Sequence, residues 1–115
     1  MAEFTKVAKT DELNSGMMKS VMAGGREILI ARVEDRYYAA YNRCPHMHGD
    51  LSKGTLNGTV VTCPRHGSQF DLSSGQVIRW MKGGLISKVA GAIKRPTNIA
   101  VYRVKVEEDR VLVEI

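Results

Sequence analysis

Cys44-Pro45-His46-Met47-His48-Gly49 and Cys63-Pro64-Arg65-His66-Gly67-Ser68 decide the reading of this chain, because they hold both of its cysteines and all three of its histidines. As a pattern they spell C-x-H, sixteen residues, then C-x-x-H, which offers two thiolates and two imidazoles from two separate points of the chain. Thiolate and imidazole are metal ligands, so the pair reads as a ligand set for one metal centre. In a reducing cytosol two cysteines seldom pair as a structural disulfide, which favours ligation over a staple.

Working outward, each segment follows a strand signal. Tyr37 to Tyr41 runs into Cys44, and Asn57-Gly58, a strong two-residue hairpin signal, precedes Thr59-Val60-Val61-Thr62, which runs into Cys63. Met18 to Met22 and Ile28 to Val33 form a hairpin around Gly24-Gly25, and Glu34-Asp35-Arg36 turns the chain toward Tyr37. Phe70-Asp71 and Gln76 to Ile78 flank a turn at Ser73-Ser74-Gly75; Tyr102 to Val106 and Val111 to Ile115 alternate around Glu107-Glu108-Asp109. About eight short strands predict an all-β antiparallel sandwich or small barrel. Asp11-Glu12-Leu13 starts a short helical turn.

Leu85 to Lys94 breaks the strand pattern. Leu85, Ile86, Val89, Ala90 and Ile93 fall near helical spacing and Pro96 would stop the helix, while Gly83, Gly84 and Gly91 weaken it. The plain reading is one short helical insertion packed on the sandwich. The sharper ones are a partner-docking helix, or a basic segment making peripheral membrane contact through Trp80.

The 115 residues suit a single domain, with the ligand segments in a part spanning about 42–78 and the insertion in about 79–97. Composition is that of a globular protein, no apolar run approaches a membrane span, and Met1-Ala2-Glu3-Phe4 lacks the basic start of a signal peptide. The expected compartment is cytoplasmic. The net charge of +5 is uneven: residues 1–71, 72–106 and 107–115 carry +1, +7 and −3, and from Leu72 to Val106 there is no Asp or Glu. Such a field steers an acidic partner, with Lys82, Lys88, Lys94 and Arg95 as candidate docking residues; a solvated basic face explains it equally well. Nothing indicates nucleic acid beyond generic basicity.

Zinc is the first candidate for two Cys and two His. The single residue between Cys44 and His46 argues against it, since both side chains converge on one ion with difficulty. A two-iron cluster removes that difficulty, each loop reaching two metals. His48 would need C-x-x-x-H spacing and is the alternative to His46.

Here the chain resembles the Rieske iron–sulfur family, whose motif is present in full as Cys44, His46, Cys63 and His66. The likeness runs on through Asp50 to Gly54, Phe70 to Gly75 and the last strand pair. It implies a Rieske-like sandwich with a cluster-binding subdomain of two loops. It also implies one [2Fe–2S] cluster, with Cys44 and Cys63 on one iron and His46 and His66 on the other, the histidines facing a docked partner. By the same resemblance Ser68 matches a serine that hydrogen-bonds a bridging sulfide in high-potential members. Phe70 stands where those members often carry a tyrosine hydroxyl, and Gly49 and Gly67 let backbone N–H groups approach the sulfurs. Respiratory members carry an extra cysteine in each loop, joined as a disulfide; the counterparts here are Gly49 or its neighbours and Arg65. The departure points to a soluble Rieske-type ferredoxin of middling potential, a one-electron carrier between a reductase and an oxygenase or other redox enzyme and not itself an enzyme. The alternatives are a non-catalytic Rieske-like subunit of a larger reductase, such as a nitrite reductase small subunit, or a zinc-binding module.

Overall fold

Ile28-Leu29-Ile30-Ala31 is an unbroken apolar run, which in a strand means burial on both faces. The computed structural model describes residues 4–44, 49–65, 67–79 and 98–115 and places this run in β3 (Arg26–Val33). Strand β1 (Phe4–Lys9) precedes a hairpin of β2 (Met18–Ala23) with β3, and β4 (Arg36–Tyr41) follows. All four residues of the run are buried, and they serve two cores. Ile28 and Ile30 join one with Leu13, Ala23, Ala39 and Val113; Leu29 and Ala31 join the other with Ala40. In the β3–β4 ladder Ile30 faces Ala39 and Leu29 faces Ala40, so a one-residue slip would exchange the two cores.

The first core is closed by a three-stranded sheet in the order β1-β11-β10, formed with β10 (Val104–Glu107) and β11 (Arg110–Glu114). The second core belongs to the two cysteine-bearing segments. Here β5 (Thr55–Asn57), β6 (Val60–Thr62), β7 (Gln69–Asp71) and β8 (Val77–Arg79) form an antiparallel sheet. Val61, Phe70 and Leu72 of this region pack with Leu29, Ala31, Ala40, Leu51 and Ile99, and both cysteines belong to the same cluster. Phe70 is fully buried opposite Val61; losing a ring of this kind costs about 3–5 kcal/mol.

The all-β antiparallel expectation holds, with three refinements. Among the described residues there are eleven strands where the sequence suggested about eight. The added β1 has one buried side chain, Ala8, and is held by its ladder to β11 more than by its own burial, so alternation does not reveal it. The run from Tyr102 to Val106 divides at Arg103: β9 (Val101–Tyr102) pairs with β4 while β10 pairs with β11. One alternating stretch therefore serves two sheets at a corner. The hairpin signal at Asn57-Gly58 shifts by one, since Asn57 pairs with Val60 and Gly58-Thr59 makes the turn. Gly58, at φ +60°, takes the first turn position as in type II′ hairpins. The expected helical turn is a 3-10 turn over Thr10–Glu12.

The helix expected at Leu85 to Lys94, together with Trp80 and Pro96, lies outside the described residues. The flanks of that segment attach to the β5–β8 sheet and to β4. Asn98 accepts a hydrogen bond from the Val77 N–H (2.9 Å), Ile99 N–H donates to the Gly75 carbonyl (2.9 Å), and Tyr41 N–H donates to the Ala100 carbonyl (2.9 Å).

Candidate metal centre

The first loop leaves β4 through Asn42 and Arg43, carries Cys44, and returns at Gly49 and Asp50. Its neck is closed by a hydrogen bond from Cys44 N–H to the Gly49 carbonyl (2.9 Å) and by an antiparallel bridge between Arg43 and Asp50. Beneath it lies Asn42, 0% exposed. Its amide nitrogen donates to Glu27 (2.7 Å) and Asp50 (2.8 Å), and its amide oxygen accepts from the Ser52 N–H (2.8 Å). Asp50 also accepts from the Ser52 hydroxyl (2.6 Å), capping the 3-10 turn Leu51–Lys53, and Arg43 pairs with Glu27 at 2.7 Å. A buried amide satisfied on both ends in this way fixes where the loop starts and stops.

Charge follows from that arrangement. Burial pushes the Asp50 carboxyl up, but the Ser52 and Asn42 hydrogen bonds and the nearby Arg43 outweigh it, and the net effect is a lowered pKa. The Arg43 guanidinium is raised, chiefly by its hydrogen bond to Glu27. A carboxyl held below its ordinary value contributes stability that is present in full above the usual carboxylate range and is lost as pH falls through the lowered value. Urea unfolding across an acid series should therefore show a loss of stability that shrinks when Ser52 is replaced by alanine. An acid limb unchanged by Ser52→Ala would refute the role given to Asp50.

The second loop hangs from β6. Cys63 N–H donates to the Ser68 carbonyl (2.7 Å), and Gly67 N–H donates back to the Cys63 carbonyl (3.1 Å). Arg79, the last residue of β8, donates from Nε and Nη2 to the Gly67 carbonyl at 3.1 and 3.0 Å and so holds the loop from the far side of the sheet. Ser68 is buried at the loop base.

The loops touch where side chains are missing. A Cβ on Gly49 would lie 2.8 Å from Cys63 Sγ and 3.4 Å from Cδ of Arg65, and a Cβ on Gly54 would collide with the Thr62 carbonyl. Position 49 thus faces position 65 across the loops, with the stem of Arg65 lying over Gly49. Cys44 and Cys63 are 0% and 1% exposed, and neither is in a disulfide. Two buried soft thiols, presented by adjacent tight loops on one core, fit a metal–sulfur centre by the chemistry of the donor set.

The structure therefore brings together Cys44, Cys63, Gly49, Gly67 and Ser68, and places Phe70 in the core beneath them. His46, His48 and His66 lie outside the described residues, as do Lys82, Lys88, Lys94 and Arg95. Sequence reading missed the brace of Glu27, Asn42, Asp50 and Ser52 and the Arg79 clamp. The Asp-x-Ser cap at residues 50–52 carries a local signature; Glu27 and Asn42 are fifteen residues apart, and no local pattern links them.

A protein-family model described as Rieske [2Fe-2S] domain matches residues 3–87. "Ferredoxin CarAc" of Metapseudomonas resinovorans is 35% identical over 71 residues, which cover 61% of this chain and 66% of that protein. "Naphthalene 1,2-dioxygenase system, ferredoxin component" of Pseudomonas aeruginosa is 31% identical over 104 residues, 90% of this chain and 88% of that one. A chain in the solved complex of reduced oxygenase and oxidized ferredoxin in carbazole 1,9a-dioxygenase superposes with a TM-score of 0.77 at 28% identity, covering 96% of this chain and 92% of its own length. With that domain model spanning both cysteine loops and most of the strands around them, the chain belongs to the Rieske [2Fe-2S] family.

Proposed function

We propose that this chain is a one-electron carrier, the ferredoxin component of a system in which a reductase supplies electrons and an oxygenase consumes them. The observation that carries the reading is the near end-to-end match to ferredoxin components of dioxygenase systems, on a fold whose two thiols are buried in one apolar cluster at the bases of tight loops. Its role is to move electrons rather than to transform a substrate. It works in the cytoplasm; no helix among the described residues is long and apolar enough to cross a membrane.

The family implies a [2Fe–2S] cluster, and Cys44 and Cys63 are its ligands on one iron with His46 and His66 on the other. When bound, the cluster supplies a reversible one-electron site, and neutral imidazoles in place of two thiolates put Rieske potentials in a window of about −150 to +300 mV. The protein's part is to keep water from the thiolates, to hold both loops by their backbone bonds, and to set the polarity around the sulfurs. Ser68 and the backbone at Gly49 supply polar groups, while the Gly67 N–H is engaged by the Cys63 carbonyl and Phe70 supplies no polar group, which points to a middling potential.

Metal and acid-labile sulfide analysis tests this reading. Two irons and two sulfides per chain are expected; one zinc and no sulfide would overturn it and favour a zinc module. His46→Cys should keep an iron–sulfur cluster and lower its potential by on the order of 100 mV, about half the gap between the bottom of the Rieske window and plant-type all-cysteine ferredoxins, since one of the two imidazoles is replaced. An unchanged potential would remove His46 from the ligand set.

A further inference from the structure

Lys53, Arg65 and Arg79 come from three separate segments: the 3-10 turn, the second loop and the end of β8. They line one groove of about 520 Å³ whose floor includes the buried Cys63. The backbone that carries these charges is held in place. The turn ending in Lys53 is capped by Asp50 and closed by Gly54 N–H on the Leu51 carbonyl (3.0 Å). The stem of Arg65 lies against Gly49 and Arg79 is tied to Gly67. A backbone ordered in advance loses little freedom when a ligand arrives, and Arg79 also has its guanidinium tied down.

The charges are also uncompensated. Among the described residues none of the three takes part in an ion pair, and no carboxylate lines the groove. Residues 45–48, 66 and 80–97 bring none either, since those stretches contain no Asp or Glu. The nearby Asp50 is engaged by Ser52 and Asn42. Three like charges around one groove repel each other, and an incoming array of anions relieves that repulsion.

We infer that this groove docks the carboxylate-rich face of an acidic redox protein. The inference rests on the carrier reading above and names the chemistry of the partner it implies. The groove is far larger than one phosphate or sulfate and its cations stand on three different elements, an arrangement suited to several carboxylates spaced over a protein surface. Cys63 at its floor places the docked partner beside a proposed ligand.

The test is binding of a labelled hexaglutamate peptide at an ionic strength of about 0.1 M, where the Debye length is about 10 Å, followed by fluorescence anisotropy. Lys53→Glu/Arg65→Glu should weaken binding about tenfold. A control with the same change of net charge on the β3–β4 and β10–β11 hairpins, Arg36→Glu/Arg110→Glu, should change it less than about twofold, because exposed charges beyond a Debye length are screened. The neutral pair Lys53→Gln/Arg65→Gln, checked by circular dichroism for an intact fold, should fall between. Equal losses in both double reversals would overturn the inference in favour of net charge alone. Inorganic phosphate binding the groove as tightly as the peptide would overturn it in favour of a simple anion site. Iron and sulfide content keeps the two readings apart: peptide binding lost with the groove in a chain that carries no cluster would sink the carrier and keep the docking surface.

Discussion

Gly49→Ala should give a protein that folds but takes up iron and sulfide poorly. The reason is space, since φ at Gly49 lies outside the left-handed region and alanine suits that backbone. The new methyl would lie 2.8 Å from Cys63 Sγ, with the stem of Arg65 also in contact at 3.4 to 3.5 Å. With no metal bound, Cys63 relieves the clash by rotating about one bond. With its sulfur tied to iron it has no such freedom, so the strain falls on the loaded state. Overpacking of this kind costs about 1–3 kcal/mol, which corresponds to roughly five- to 150-fold in cluster affinity. Iron and sulfide per chain after reconstitution, with urea unfolding of the cluster-free protein beside it, reads the difference. Gly58→Ala is the control, because position 58 has open space but a left-handed φ, so it should lower stability and leave loading intact. A Gly49→Ala protein that loads like the parent would end the claim that this contact sets the cysteine's position.

Asn42→Asp should be the most destabilising isosteric change in the molecule. It replaces an amide nitrogen that donates to Glu27 and Asp50 by an oxygen, leaving three carboxyl groups in contact at a fully buried position. An uncompensated buried charge of this kind costs about 3–5 kcal/mol, a large share of the roughly 5–15 kcal/mol that holds a domain together. The pH response should also change sign. In the parent, Asp50 is held below its ordinary value, so stability is lost as pH falls through that value. In the variant, like charges raise the carboxyl values; the folded state then binds more protons than the unfolded one, and stability is regained as pH falls through the raised values. Opposite slopes of unfolding free energy against pH are the expected signature. A variant within about 1 kcal/mol of the parent at neutral pH, a typical single-mutation effect, would show that the network is not the brace described here.

Much of this molecule is legible locally. The two Cys/His segments, the strands leading into them and the turns at Gly24-Gly25 and Ser73 to Gly75 each carry their own signal within a few residues. So does the double burial of β3, in the run Ile28 to Ala31. The less legible features depend on partners distant in sequence. Strand β1 is recognisable only beside β11, the division of one alternating run at Arg103 depends on where β4 lies, and the Asn42 brace needs Glu27 from the preceding strand. The charge pattern drew attention to the basic run after Leu72, yet the groove at Cys63 is assembled from Lys53 and Arg65, which precede that run, and Arg79, its first basic residue.

By itself the sequence determined the chemistry on offer: two thiols and three imidazoles in two loops at the ends of strands, in an all-β chain whose motif belongs to the Rieske family. That information is local, since side-chain identity and short-range periodicity survive in the unfolded chain. Only the tertiary structure decided which backbone groups close those loops, why positions 49 and 54 must lack a side chain, and which cations surround Cys63. Those are facts of close packing between segments far apart in the chain, and a contact of 2.8 Å does not exist until the two loops have been folded together.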